Sequence, residues 1–580
     1  MAAWRAFHPL RKLLPSVALV NVVASVVIRV VHRDSYVAGW EVAGAANGLF
    51  MVSTHTAREL WSYYIGRQFD DIGWPVFGAP VSLLPGYLAS RWPGDWWPQI
   101  TTPTLVLISL LVLRSAIDLP GRGSWIMLLA WGASSALLSY SVIGFPYISS
   151  ILPNALALFA VLRGRGSVLW ALVGSLTAIE LSWHVQELGR TIFAIFFAAA
   201  ILLPRARPVC RVIWLAGGAM QFWLERTHPT YNTVHYAAMT LPPLSSVAFH
   251  TFDLLRHFGT LKPDIPLLIV AGILAAMSLG NERWFWCAVL GFHLGVIWLL
   301  ASNSGILEGI GAVWPRRVLM LDFICVAACV AAVRARRRSA PIVISLLAVG
   351  RVWQFGSTVE WASKRLDYLN MGWAFPMPYT QTTLDCAVPI MSTDWFKELR
   401  ATVDDGRKVL LLYNLTSFDE NNTDPAGVIE RLYLHLGHER FMSTVYVFGD
   451  DRIRWNELPI RPMSEVDSTL ASLTPDEVEA YYLYHPNDDR ADWPIAVKHQ
   501  QEMGVLFDAV RTHFDVEWHE RRMDVQGRVL MHFALRPHDN VNGGLAPTDH
   551  LFGTYDESPA TCSTHRRASD AFAGHVLNPD

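Results

Sequence analysis

Charge is scarce in this chain and unevenly placed. Only 17% of its 580 residues are Asp, Glu, Lys or Arg, where a soluble domain carries about 25%. Residues 1–355 hold just two lysines, Lys12 and Lys262. That shortage excludes a soluble globular fold along the whole length, and a disordered one more firmly. The net charge of −3 gives no basis for a nucleic-acid partner. No strand is followed by a Gly-rich phosphate loop, which weakens a nucleotide-binding reading. No set of four Cys or His ligands has zinc spacing, and no internal repeat is evident.

What is abundant is apolar sequence, at 52% with the 39 glycines uncounted. It falls into runs to be compared with the roughly 20 residues a membrane helix needs. The runs are Pro15–Val31, Ile100–Ile117, Trp125–Ile143, Ile148–Leu162, Val168–Leu181 and Thr191–Leu203, then Val212–Leu224, Pro266–Leu279, Trp284–Ala301, Val318–Val333 and Pro341–Phe355. They predict a mainly α, polytopic domain of about eleven transmembrane helices over residues 1–355. The first run lacks a small-residue cleavage site and reads as a span rather than a removed signal.

Orientation follows from the preference of Lys and Arg for the cytoplasmic side. One set of alternate connections, from Arg5 through Arg114, Arg163, Arg165, Arg205, Arg207 and Arg283 to Arg334–Arg338, carries fifteen basic residues. Its acids are Asp118 and Glu282 alone. The other set balances ten basic residues against eleven acids. The first set, with the N-terminus, is therefore expected in the cytoplasm, which implies a multi-pass protein of a plasma or inner membrane. The outside connections include two long ones, residues 32–99 and 225–265. Loops of that length inside a compact domain are usually functional.

After Phe355 the composition turns ordinary. Lys408–Asn414, Thr444–Phe448, Phe514–His519 and Val529–Leu535 read as strands, and Asp424–Arg440 and Gln500–His513 as helices. This alternation predicts a small α/β soluble domain over 356–537, extracytoplasmic if Pro341–Phe355 crosses. Residues 538–580 read as a disordered tail. Cys210, Cys287, Cys325 and Cys329 sit in or beside apolar runs and act as small hydrophobes, whereas Cys386 and Cys562 could pair. His435 and His438 are expected on a solvated helix face.

The residues suited to chemistry gather in the outside connections. His32-Arg33-Asp34-Ser35 follows the first run, and Glu41 lies two helical turns after Asp34, so both carboxylates can share a face. A carboxylate at a membrane boundary is costly to desolvate, which raises its pKa. That suits a base for a hydroxyl proton. Arginines fit phosphate because the planar fork donates twice and stays charged. Candidates are Arg67, Arg226, Arg256, Arg316 and Arg317, with His228 and His235 nearby in the second long connection. His184 and Glu187, one turn apart, form a secondary pair. Asp322 reads as a structural partner for Arg29.

This arrangement resembles the GT-C superfamily of membrane glycosyltransferases, in topology over residues 1–355 and in about ten residues of motif. Mannosyltransferase branches of that superfamily carry roughly His-Pro-Asp-Glu with a later Glu after the first helix. Here His32-Arg33-Asp34-Ser35 with Glu41 is similar, with Arg33 at the Pro and Ser35 at the second acid. The resemblance implies inverting sugar transfer from a polyprenyl-phosphate donor to a glycan, lipid or protein acceptor on the outer membrane face. Asp34 would be the base, and Glu41 would position the sugar. The arginines and histidines above would hold the phosphate; a divalent metal, Mg or Mn, stays open. The competing readings are a transporter or flippase of a lipid-linked or small polar substrate, and a non-catalytic membrane scaffold presenting the tail domain.

Overall fold

A computed structural model describes residues 39–60, 79–117, 150–183, 191–227, 264–303, 313–364, 393–412, 426–449, 460–484, 494–523 and 529–537. Positions 19, 23, 134 and 137 are also described. Among the described residues the protein is mainly helical with a small sheet.

Two helices lie within the first long connection, α1 (Gly39–Thr54) and α2 (Ala79–Arg91). The bundle follows: α3 (Trp97–Ala116), α4 (Ile151–Leu162), α5 (Val168–Trp183), α6 (Ile192–Leu202), α7 (Pro208–Thr227), α8 (Asp264–Ser278), α9 (Arg283–Asn303), α10 (Val313–Arg334) and α11 (Ala340–Lys364). Each bundle helix overlaps one of the apolar runs. The runs Pro15–Val31 and Trp125–Ile143 lie almost wholly outside the described residues.

Among the described residues no single helix is both long and apolar enough to cross; α8 and α9 pass only as a pair, bent by 114°. α4 and α6 have 12 and 11 residues, about 18 Å at 1.5 Å per residue, against a hydrocarbon core of about 30 Å. α7, α10 and α11 have 20, 22 and 25 residues.

One continuous apolar core joins α3 to α11. At its centre α10 is buried all round from Leu319 to Val333. Asp322 on this helix accepts a hydrogen bond from Ser134 Oγ at 2.9 Å; Arg29, its expected partner, lies outside the described residues. The bundle exterior is apolar too. Leu169, Ile201, Val212, Trp223, Met277 and Trp353 are all exposed, whereas Val505 is the lone exposed large hydrophobic described after residue 392.

The sheet domain comprises α12 (Thr393–Asp404), β1 (Lys408–Leu412), α13 (Ala426–Leu436), α14 (His438–Thr444), β2 (Val445–Gly449), β3 (Arg461–Pro462), α15 (Val466–Leu470), β4 (Val478–Tyr484), α16 (Pro494–His513), β5 (Asp515–Met523) and β6 (Val529–Arg536). Strand order is β3-β2-β1-β4-β6-β5. The first four are mutually parallel, and β6 runs antiparallel to β4 and β5. In β1 every residue after Lys408 is buried, as expected for a parallel strand covered on both faces. Val409 and Leu411 face one core with α12 and α13; Leu410 and Leu412 face the other with α15 and α16.

Two readings of this region differ from the structure. The helix expected over Asp424–Arg440 is two, α13 and α14, because Gly437 adopts φ 74°. Any side chain there would be strained and would approach Pro93 Cγ to 3.2 Å. β4 went unread because Glu479 and three tyrosines interrupt its apolar pattern, although it is a central strand.

The packing also ignores a boundary at residue 355. Ala45, Ala46 and Leu49 of α1 and Ala89 of α2 belong to the same core as Val409, Leu432, Tyr433 and Tyr481. The first long connection is thus partly built into the sheet domain. Its two helices touch at Gly48 and Gly86, where a Cβ on Gly86 would stand 2.2 Å from the Gly48 carbonyl carbon. Helix propensity alone would make Gly86→Ala stabilising by about 1 kcal/mol. Backbone cannot yield as a side chain does, so overpacking wins. Gly86→Ala is expected to destabilise the chain by about 1–3 kcal/mol, read as a lower thermal midpoint.

Candidate functional site at the junction of bundle and sheet domain

Glu41 lies in the first turn of α1, and Asp34 precedes that helix by five residues. Asp34 itself, with Arg67, His184, Glu187, His228, His235 and Arg256, lies outside the described residues. Arg226 falls in the last turn of α7, and Arg316 and Arg317 in the first turn of α10. What the structure builds is the frame that carries Glu41.

That frame is clamped to the sheet domain at several points. Arg431 of α13 donates Nε and Nη2 to Asp95 Oδ2 at 3.0 and 2.7 Å, with both side chains nearly buried. The Gly94 N–H donates to the Leu434 carbonyl at 2.7 Å. Trp97 Nε1 donates to the Trp92 carbonyl at 2.6 Å, and the Trp96 and Trp97 rings stack at 3.9 Å. These bonds fix residues 92–97 as α3 begins. α3 has 20 residues, so it carries the chain about 30 Å from this junction.

On the other side of α1, Phe50 meets the His438 ring edge-on. His438 Nδ1 and the Tyr433 hydroxyl are hydrogen-bonded at 2.9 Å. Burial pushes the Tyr433 phenol well above its ordinary range, against the opposing effect of Ser53 of α1. Neither histidine keeps the solvated position expected of it, since both are partly buried. His435 is hydrogen-bonded to Asp404 at 2.9 Å, while His438 is part of the seam. Burial holds the His438 imidazole below its ordinary value, against the opposing charge of Glu439.

This has a consequence for pH. An imidazole with a lowered folded pKa contributes stability in full above about 6.5, the unfolded value, and loses it as pH falls toward the folded value. The thermal midpoint of the full chain should fall between pH 7.5 and 5. His438→Asn should have a shallower slope over that window; an equal slope would remove His438 as the cause.

A further charged group joins β1, β4 and β6. Glu479 pairs with Arg407 and accepts from His532 Nε2 at 2.6 Å. The His532 ring stacks on Tyr481 at 4.8 Å. The Tyr481 hydroxyl meets Thr402 Oγ1 at 3.0 Å, and burial pushes its pKa up to about 12. Glu479 lies one residue into β4, at its amino end. In open α/β sheets ligands bind beyond the carboxyl ends, where strand order reverses. Here that point is between β1 and β4, beyond Leu412 and Tyr484. The Arg407–Glu479–His532 group is on the wrong end for that crevice and acts as a latch between strands.

Among the described residues no three His, Cys, Asp or Glu side chains are placed to hold a metal ion. Cys386 and Cys562 lie outside the described residues, and Cys210, Cys287, Cys325 and Cys329 are free thiols. The Asp95–Arg431 pair was hidden from sequence reading, because its partners are 336 positions apart. No family model, curated protein or solved structure matches the chain.

Proposed function

We propose that this protein is a membrane glycosyltransferase that moves a sugar from a polyprenyl-phosphate donor to an acceptor, with inversion. The chain's bundle would lie in the membrane and its sheet domain on the outer side. The observation that carries the reading is the seating of α1 in the sheet-domain core. The helix bearing Glu41, and starting just after Asp34, is held where an apolar bundle meets a soluble domain. A reaction between a lipid-borne sugar and a polar acceptor needs that place. Exposed apolar side chains across the bundle support a lipid-facing exterior, since monomers in water rarely expose large contiguous apolar patches.

In this mechanism Asp34 takes the acceptor hydroxyl proton as the oxygen attacks the anomeric carbon. The lipid phosphate departs from the opposite face. Glu41 holds sugar hydroxyls, and arginines among Arg67, Arg226, Arg256, Arg316 and Arg317, with His228 and His235, neutralise the departing phosphate. The sheet domain orients the acceptor. The test is transfer of radiolabelled sugar from prenyl-phosphate donors in membranes containing the protein. Label reaching an acceptor only when the chain is present supports the reading. No transfer from any such donor, with transport of a lipid-linked sugar instead, would replace it with the flippase reading.

A further inference from the structure

The ends of the bundle helices remote from the sheet domain enclose a second site. α3 begins at the sheet domain and ends at Ala116, which lines a cavity of about 370 Å3. The turns between α4 and α5 and between α8 and α9, with the end of α10, complete its wall. Four arginines line it, Arg163, Arg165, Arg334 and Arg337, against one carboxylate, Glu282. Four positive charges and one negative leave an excess of three.

Three of the arginines are hydrogen-bonded. Arg163 Nε donates to the Ser115 carbonyl at 2.6 Å, and Arg165 Nη1 to Glu282 Oε1 at 2.7 Å. Arg337 Nη2 reaches the Leu279 carbonyl at 3.4 Å. Its Nε, however, is buried without a hydrogen-bond partner. Trp286 and Leu162 supply an apolar wall beside the charges.

An inward bias of basic residues explains single arginines at helix ends in contact with water or headgroups. It does not require two distant connections to aim four guanidinium groups around one cavity. The volume falls in the usual range for small-molecule sites, roughly 300–1,000 Å3. We infer that this cavity binds a phosphate group, carried either by an anionic phospholipid headgroup or by a soluble diphosphate.

The test uses the full chain purified in non-ionic detergent. Its thermal unfolding is followed against sodium diphosphate at constant ionic strength, and separately against short-chain phosphatidylglycerol. A shift with diphosphate alone assigns the soluble source, and with phosphatidylglycerol alone the lipid. R334Q/R337Q should weaken whichever probe binds by about tenfold or more, since charge-assisted bidentate bonds are lost. R207Q/R338Q, which removes equal charge from exposed arginines outside the cavity, should change binding less than about twofold. E282Q should tighten it by relieving repulsion of the anion. Failure of both probes to shift the midpoint would overturn the site, as would equal weakening by the two arginine pairs. If R334Q/R337Q does not fold, E282Q decides: tighter binding supports the cavity, and unchanged or weaker binding removes it.

Discussion

Asp34→Asn is expected to lower sugar transfer by about 10²–10⁴-fold, the usual contribution of a general base, with expression unchanged. Asn keeps the size of the side chain and removes its basicity, so the loss should fall on kcat and leave donor KM nearly alone. The position can act as a base only if it is held still. Five residues downstream, α1 begins, and its Ala45, Ala46 and Leu49 are fully buried against the sheet domain. Asp34 is five residues in sequence from that fixed helix. Glu41→Gln should act differently, raising KM for the sugar donor more than it lowers kcat, because the role proposed for it is positioning. If Asp34→Asn transfers sugar at the wild-type rate, the base assignment is wrong. A scaffold without chemistry would then account better for the acidic motif.

Arg431→Met is expected to be the most damaging single change to stability, at about 3–5 kcal/mol. Removing one member of a buried ion pair leaves the other charge uncompensated. The stranded group would be Asp95, 8% exposed and within residues 92–97, the segment that opens α3. The Asp95→Leu, Arg431→Met double variant should recover much of the loss, since an apolar pair of similar volume needs no counter-charge. Thermal unfolding of the full chain in detergent measures both, and adding the Asp95→Leu single variant completes the cycle that gives the coupling energy. Equal stability of the Arg431→Met protein and wild type would show that water reaches the pair. Transfer should fall with stability in Arg431→Met, because the same bonds hold the α1 frame against the sheet domain.

The helices of the bundle were readable because each is a run of apolar residues bounded by arginine or by Gly and Pro turns. Nine such runs carry helices in the described residues. The strands β1, β2, β5 and β6 were readable for a similar local reason. What failed was anything that depends on a distant partner. Glu479 marks Val478–Tyr484 as polar until Arg407 and His532 are seen to satisfy it. Gly437 reads as a tolerated helix residue until its left-handed φ divides α13 from α14. His438 reads as solvated until Phe50, from nearly 400 positions earlier, covers it.

Composition and periodicity alone determined an apolar helical region followed by a small α/β domain, and the alternation of basic with mixed connections. These are local properties, set by side-chain type and spacing. Tertiary structure alone decided that α1 and α2 complete the core of the sheet domain and that Asp95 is neutralised by Arg431. It also decided that arginines from two distant connections surround one cavity. Each of these is a pairing between segments far apart in the chain. Its energy comes from removing both partners from water together, a quantity neither segment carries by itself.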